Sequence, residues 1–358
     1  MTTERLQAIC IARDGQEGYL CQEIARCFPG CSARKIAPRV VGVYGATDHL
    51  PITHYPLFFS VQFLPAPHQV HAESISLWAK AVFDTIETAL ADRSQPWCLH
   101  VFDPLTADSG ESYARPTRIY QAALDLIKDK SRSRYRSRVE SASQLCSLIQ
   151  VVTVTPTSGF ISVAYPDEHS SYHKLLSTHP AGYVAIPDDK APPSRAFKKL
   201  REAILSFNLD ISPGQTAVDL GASPGGWTHV LRERGALVTA IDRSPLSPAL
   251  MRDKDVAFIQ GNALTWKPTK HVDWLVCDVI TTPENTQGII TSWLTHGWCS
   301  NFCVTVKFKG APAFKVLTDI SDFLQTHTRW FNGRQLTYNK NEVTIVGGTT
   351  ELTLLQER

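Results

Sequence analysis

Apolar residues recur along the chain at two spacings, every second position in some stretches and every third or fourth in others, and their succession predicts the elements. Over residues 1–65, LQAICIAR reads as a strand, GQEGYLCQEIARCFPG as a helix stopped by Pro-Gly, and VVGVYG and YPLFFSVQFL as further strands. The pattern then changes. ESISLWAKAVFDTIETALAD has helical spacing, WCLHVFDP is a short strand closed by proline, and RPTRIYQAALDLIKDK is a second helix. LIQVVTVTPTSGFISVAYP reads as a hairpin turning through Pro156 to Gly159. Residues 166–193, rich in Pro, Asp and His, form the clearest break, with the linker placed at 171–192. Beyond it SRAFKKLREAILSF is helical. Strands are expected at 216–222, 237–242, 256–262, 272–278 and 302–308, with helical patterns after the first, fourth and fifth. Such alternation predicts an α/β domain with a mainly parallel sheet covered on both faces. The expected organisation is an α+β domain over 1–65, a second over 66–170, the linker, and the α/β domain over 193–358. No internal repeat is evident.

Composition narrows the class without deciding it. At about 100–200 residues per domain, 358 residues suit two or three domains. With 43% hydrophobic and 20% charged residues, the chain is expected to fold rather than stay disordered. A net charge of +2 does not mark a nucleic-acid binder, so local clusters must carry any such argument. The opening MTTERLQAIC lacks the apolar run of a secretion signal, and no stretch approaches the roughly 18 apolar residues of a membrane span. The nine cysteines are an odd number, so free thiols in a reducing cytoplasm are expected. Cys21, Cys27 and Cys31 are the tightest group, but their spacing is not a zinc pattern, and no metal is expected.

The most informative stretch is AVDLGASPGGWTHVL, residues 217–231. A strand ends at Gly221 and a helix begins near Gly225, and turns of this kind sit at the carboxyl edge of a sheet, where α/β ligands bind. Gly-Ala-Ser-Pro-Gly-Gly is neither GxGxxG nor GxxxxGK[ST], which disfavours a dinucleotide pyrophosphate and a nucleoside triphosphate. Asp242 closes the next strand and could accept from a ribose diol. Asn262 closes the third and could read an adenine edge, and Asp278 closes the fourth. A glycine turn, a ribose acid and an adenine reader suit a nucleoside without phosphates, of which S-adenosylmethionine is the commonest cofactor. The alternative is that Gly225 and Gly226 simply permit tight strand–helix packing.

Three more residues complete a candidate set. Lys307 ends the fifth strand in FCVTVKFKG, Lys199 lies in PSRAFKKLREA, and Glu342 opens a late strand in NKNEVTIVGG. With Asp278 they are either scattered surface charge or four groups at one sheet edge. Segment 193–346 resembles the ribose 2′-O-methyltransferases of the FtsJ/RrmJ superfamily, and within it the RlmM (YgdE) type. The resemblance rests on PSRAFKKLREA, AVDLGASPGGWTHVL, DWLVCDV, WLTHGWC and RQLTYNKNEVTI. It implies a Rossmann-like S-adenosylmethionine-dependent domain with a seven-stranded sheet, preceded by ferredoxin-like and THUMP-like α+β domains. It also implies methylation of a cytidine ribose in large-subunit ribosomal RNA. By position, Lys199, Asp278, Lys307 and Glu342 match the family's catalytic tetrad, with Lys307 as proton acceptor. Ser194, Gly221, Ser223, Pro224, Gly225, Gly226, Trp227, Asp242, Asn262 and Asp278 fall at the cofactor. Two residues depart from the pattern: Ser223 stands where Cys is frequent, and Asn262 where Asp is usual. Lys198 adjoins Lys199, and neighbours on a helix point about 100° apart, so only one can face the site. The family's Lys directly before Leu favours Lys199.

An RNA substrate needs basic surface. The densest patch is KDKSRSRYRSR, with Lys128, Lys130, Arg132, Arg134, Arg136 and Arg138 around Tyr135. It falls in the THUMP-like part and reads as an RNA contact or a solvated basic loop. Lys309 and Arg195 could meet phosphate nearer the site. Trp227, His229, Trp293 and Trp298 lie at apolar helical positions and are expected in the core, as are inert Cys277 and Cys303. The expected activity is therefore RNA ribose 2′-O-methylation. Transfer RNA, an mRNA cap, and a catalytically idle RNA-binding protein are the alternatives.

Overall fold

A computed structural model describes residues 4–46, 50, 53, 55–109, 114–143, 145–166, 172 and 174–350. Parts of the expected linker and the end of the expected 193–358 domain lie outside the described residues. The chain forms two compact units, Met1–Val184 and Ala185–Arg358.

The first unit holds two four-stranded sheets. One is built from β1 (Arg5–Ala12), β2 (Ser32–Ala37), β3 (Val40–Gly45) and β4 (Ser60–Pro65), in the order β2-β3-β1-β4. The other is built from β5 (His68–His71), β6 (Trp97–Phe102), β7 (Ser147–Thr155) and β8 (Ser158–Ala164), in the order β5-β8-β7-β6. Helix Ile75–Ala89 starts on Ser74, whose side chain accepts from Leu77 N–H, and its buried Trp78, Val82 and Ile86 join Ile119, Ala123 and Ile127 of helix Ala114–Lys130 over the second sheet. Ile9, Ile11, Val61 and Leu64 of the first sheet share a core with Phe102, Val152 and Phe160 of the second. Gln150 Nε2 donates to Phe63 O at 3.0 Å, binding the sheets further. Part of the stretch read as linker packs here too: Leu175, Ser177 and Ala181 are buried, and Gln62 Nε2 donates to Ser177 O and His179 O.

The second unit is one seven-stranded sheet. Its strands are β9 (Thr216–Leu220), β10 (Leu237–Asp242), β11 (Val256–Gln260), β12 (Val272–Cys277), β13 (Cys299–Lys307), β14 (Trp330–Arg334) and β15 (Glu342–Gly348). Their order is β11-β10-β9-β12-β13-β15-β14, with β15 antiparallel to both its neighbours and the other pairings parallel. β9 has β10 on one side and β12 on the other, so the strand order reverses there, where α/β sheets open their ligand crevice. Helix Phe197–Phe207 ends at Asn208, in the left-handed region at φ 51°. Helix Pro283–Thr295 starts with Thr282 as cap and Pro283 at its first position.

Candidate active site

The turn after β9 is sewn to the end of β10. Gly221 N–H and Ala222 N–H both donate to Ile241 O. Ser223 N–H donates to Asp242 Oδ2 at 3.1 Å, and Ser244 N–H to Asp242 Oδ1 at 2.9 Å. Asp242 thus holds the turn with one lone pair of each oxygen and keeps others for a ligand hydroxyl. Ser223 Oγ donates to Pro245 O. Gly221 and Gly225 have φ of 80° and 115°, and a Cβ on either would collide, with Val279 in the first case and Leu250 in the second. A Cβ on Gly226 would strike Ser194 Oγ. Close packing of the protein on itself therefore accounts for Gly225 and Gly226, alongside any approach of a ligand. Pro224 is exposed at the tip of the turn, and Trp227 is buried with its indole N–H donating to Ala196 O at 2.9 Å. Asn262 follows β11, its carboxamide oxygen accepting from Leu264 N–H at 3.2 Å. An Asp242 with spare acceptors and an Asn262 with its amide hydrogens to give fit a ribose and a base edge, the two halves of a nucleoside.

A further acid beside the turn has no motif to mark it in the sequence. Asp219, two residues before Gly221, is fully buried and accepts from Thr228 Oγ1 at 2.6 Å. Burial pushes its carboxyl up to about 7, the Thr228 hydroxyl works against this, and Asp278 and Asp242 add to the rise. A lone acid within the apolar run AVDL was the available signal.

Lys199, Asp278, Lys307 and Glu342 come together. Lys199 Nζ lies 3.2 Å from both Asp278 oxygens and 2.6 Å from Glu342 Oε1. Lys307 Nζ bonds Asp278 Oδ1 and lies 3.0 Å from Glu342 Oε2. Helix Phe197–Phe207, which carries Lys199, and three strands produce this arrangement. Asp278 follows the last residue of β12, whose parallel neighbour is β13; β13 ends at Lys307, and Lys307 stands opposite Glu342 in the antiparallel register with β15. Directly opposed residues share a sheet face, so Glu342 and Lys307 meet. Thr305, two residues before Lys307 and so on the same face, donates to Asp278 Oδ1 at 2.7 Å and accepts from Lys307 Nζ at 3.1 Å. It too was missed, because a threonine in a strand carries no chemical signal by itself.

Lys198 points away, as the family pattern indicated: its ammonium lies 2.7 Å from Asp188 and 5.1 Å from the Tyr338 ring centroid. Glu202, one turn beyond Lys199 on the same helix, is fully buried and accepts from Thr337 N–H at 2.7 Å and Tyr338 N–H at 2.9 Å, fixing the loop that leads to Glu342.

Burial would lower the Lys307 pKa, but the charges of Asp278 and Glu342 outweigh it and hold the value above that of an ordinary lysine. The sequence left that balance open; with two carboxylates in contact, the ammonium is the favoured form. Cys277 and Cys303 are buried as expected, and burial pushes the Cys277 thiol up to about 12. Trp293 is in the core, 2% exposed, and Trp298 is half-buried with its ring stacked 4.5 Å from His296. His229 does not pack as a core residue. It is half-buried, 3.2 Å from Glu233, because its position lies at the border of the helix's apolar face. Asp189, His229 and Glu233 bring possible ligand atoms together, but Arg201 Nη2 already bridges Asp189 (3.0 Å) and Glu233 (2.7 Å) and supplies the positive charge there.

The basic stretch 128–138 is helical rather than a loop, running from the end of helix Ala114–Lys130 into helix Arg132–Arg136. Lys128, Lys130, Arg132 and Arg136 are exposed. Arg134 turns inward, donating to Arg93 O at 2.7 Å and to Leu90 O, where it covers the carboxyl end of helix Ile75–Ala89. Arg138 donates to Tyr120 Oη at 3.2 Å. Lys309 is exposed in the loop after β13, which Asn341 Nδ2 holds through Phe308 O and Gly310 O.

Residues 192–337 match the family described as FtsJ-like methyltransferase. Ribosomal RNA large subunit methyltransferase M of Halorhodospira halophila is 37% identical to this chain over 169 residues, covering 46% of this chain and 50% of that protein. The proteins of the same name from Alkalilimnicola ehrlichii and Idiomarina loihiensis are 32% identical over 175 residues and 33% over 212, covering 47% and 55% of this chain and 49% and 56% of theirs. The chain spans about half the length of the curated relatives it matches. Residues 192–337, which hold most of the seven-stranded sheet, are thus similar to FtsJ-like methyltransferases, and the chain is similar in sequence to ribosomal RNA large subunit methyltransferase M.

Proposed function

We propose that the protein is an S-adenosylmethionine-dependent RNA ribose 2′-O-methyltransferase acting on a cytidine of large-subunit ribosomal RNA. The observation that carries this reading is the cluster that Lys199 of helix Phe197–Phe207 forms with Asp278, Lys307 and Glu342 at the strand ends, beside the turn from Gly221 to Gly226. The names of the relatives favour ribosomal RNA over transfer RNA or a cap.

When bound, S-adenosylmethionine supplies a methyl group already activated on a sulfonium. Ser194, Gly221, the turn from Ser223 to Trp227, Asp242, Asn262 and Asp278 would hold it, with Asp242 able to accept from ribose hydroxyls and Asn262 able to meet a base edge. The protein's task is then to orient a 2′-hydroxyl in line with that methyl and to take its proton. Positioning of this kind is worth roughly 7–11 kcal/mol. Lys307, as an ammonium between two carboxylates, stabilises negative charge on the attacking oxygen. To accept the proton it must first lose its own. Lys199 holds Asp278 and Glu342 in register. Nothing in this chemistry calls for a metal.

The exposed Lys128, Lys130, Arg132 and Arg136 supply phosphate contacts in a THUMP-like part spanning 66–170, after a ferredoxin-like part at 1–65, and Lys309 supplies another near the site. Arg134 and Arg138 support the patch from beneath. The protein works in the cytoplasm, on RNA before or during ribosome assembly.

The test is methyl transfer from labelled S-adenosylmethionine to protein-free large-subunit ribosomal RNA, bulk transfer RNA and capped mRNA in parallel. Label in the first alone is expected. Label in either of the others instead would reassign the substrate, and no label with any RNA would leave an idle RNA-binding protein.

A further inference from the structure

Three consecutive residues after β12 have three different surroundings. Asp278 is half-buried and tied to Lys199, Lys307 and Thr305. Val279 lies against Gly221, so closely that a Cβ there would stand 2.6 Å from its Cγ2. Ile280 is 91% exposed, the most exposed of the large hydrophobic residues described. The loop that presents it is fixed on both sides. Asp278 is held by the cluster, Thr281 Oγ1 accepts from Asn285 Nδ2 at 2.8 Å, and Thr282 Oγ1 accepts from Asn285 N–H at 3.4 Å. A single exposed isoleucine on a surface usually signifies nothing. This one is set out by a pinned backbone two residues from the catalytic carboxylate, beyond the residue that closes the cofactor side.

We propose that Ile280 is the acceptor-side contact of the site, an apolar surface on which a nucleobase of the incoming RNA lies. The inference rests on the methyltransferase reading and adds the substrate contact to it. A branched aliphatic side chain has nothing to offer a phosphate. A nucleobase, by contrast, has two flat apolar faces that side chains cover when RNA is bound as an unstacked strand. The cations for the backbone are near in the fold: β13 runs parallel to β12 and its end carries Lys307 and then exposed Lys309 to the same edge. Base contact and phosphate contact thus fall on adjacent loops.

The experiment compares wild type, Ile280→Ala and Ile280→Phe on large-subunit ribosomal RNA, reading KM for RNA, kcat, S-adenosylmethionine affinity and the salt dependence of RNA binding. Ile280→Ala is expected to raise KM for RNA about tenfold, in line with the removal of one apolar surface beneath a base. S-adenosylmethionine affinity and thermal midpoint should stay at wild-type values, and so should the salt slope, because Ile280 neutralises no phosphate. Ile280→Phe is expected to restore KM, since a ring also covers a base. An unchanged KM in Ile280→Ala, or an equal loss of cofactor affinity, would overturn the inference while leaving the active wild-type enzyme as evidence for the reading beneath it. A wild type that methylates no RNA would overturn both.

Discussion

Lys307 has a carboxylate oxygen on either side, and that fixes what its pH dependence must look like. Its pKa is raised, so the ammonium persists through neutrality and the neutral amine gains only as pH rises. If transfer needs the amine, kcat should climb with pH without reaching a plateau below the ordinary lysine range. A plateau near neutrality would show that the amine is not required. The neighbouring pair Lys198 and Lys199 gives a second expectation. Lys199→Ala removes an ammonium shared by Asp278 and Glu342 and should lower kcat by about 100-fold or more, whereas Lys198→Ala, whose partner is an exposed Asp188, should stay within about twofold. Parallel kinetics of the two variants check this. Charged residues at a strand end were legible in the sequence, as Asp278, Lys307 and Glu342 are, and Lys199 was legible on its helix through the Lys-Lys-Leu pattern. Thr305 and Asp219 were not: each takes part only through a partner distant in sequence or hidden by burial, Asp278 for the one and Thr228 for the other.

Strand and helix ends explain which elements could be read. The strands 237–242 and 272–278 agree closely with β10 and β12 because each is an apolar run closed by a polar residue at the crevice, whereas β13 starts at Cys299, three residues before the expected 302. β2, SARKIA, alternates too weakly to be seen, with no fully buried residue; β5 is only four residues long; and β14, WFNGR, contains glycine and asparagine, which disfavour strand by propensity. Tertiary pairing overrides propensity in each. The buried acid at the end of β9 yields a prediction at this scale. Asp219 titrates near 7 when folded and near 4 when unfolded, so between those values the folded state holds the extra proton and stability falls as pH rises. Asp219→Asn keeps an oxygen for Thr228 and removes the titration. Its thermal midpoint is expected to lose part of the decline seen in the wild type between about pH 4 and 7. An identical decline in both proteins would show that the acid does not titrate in that window.

At the scale of the whole molecule, a net charge of +2 conceals a local basic surface, and the structure divides that surface by job. Four cations of the 128–138 stretch face outward, while Arg134 is taken up by carbonyls. Sequence alone could not make that division, because it depends on how the stretch coils over the end of helix Ile75–Ala89. Replacing Lys128, Lys130, Arg132 and Arg136 with Gln should weaken RNA binding and flatten its salt dependence by about 0.7–0.9 in log–log slope for each phosphate no longer neutralised. Arg134→Gln should act instead on thermal stability, with the slope unchanged. Binding measured over a salt series separates the two.

The position of the label decides whether the four-residue cluster directs a methyl group to a ribose hydroxyl. Wild type and Lys307→Ala are each incubated with labelled S-adenosylmethionine and large-subunit ribosomal RNA, and the product is digested with alkali. Label is expected in a single alkali-resistant dinucleotide with the wild type and none with the variant, although both bind the cofactor. Label on a base, or equal labelling by the two proteins, would contradict it.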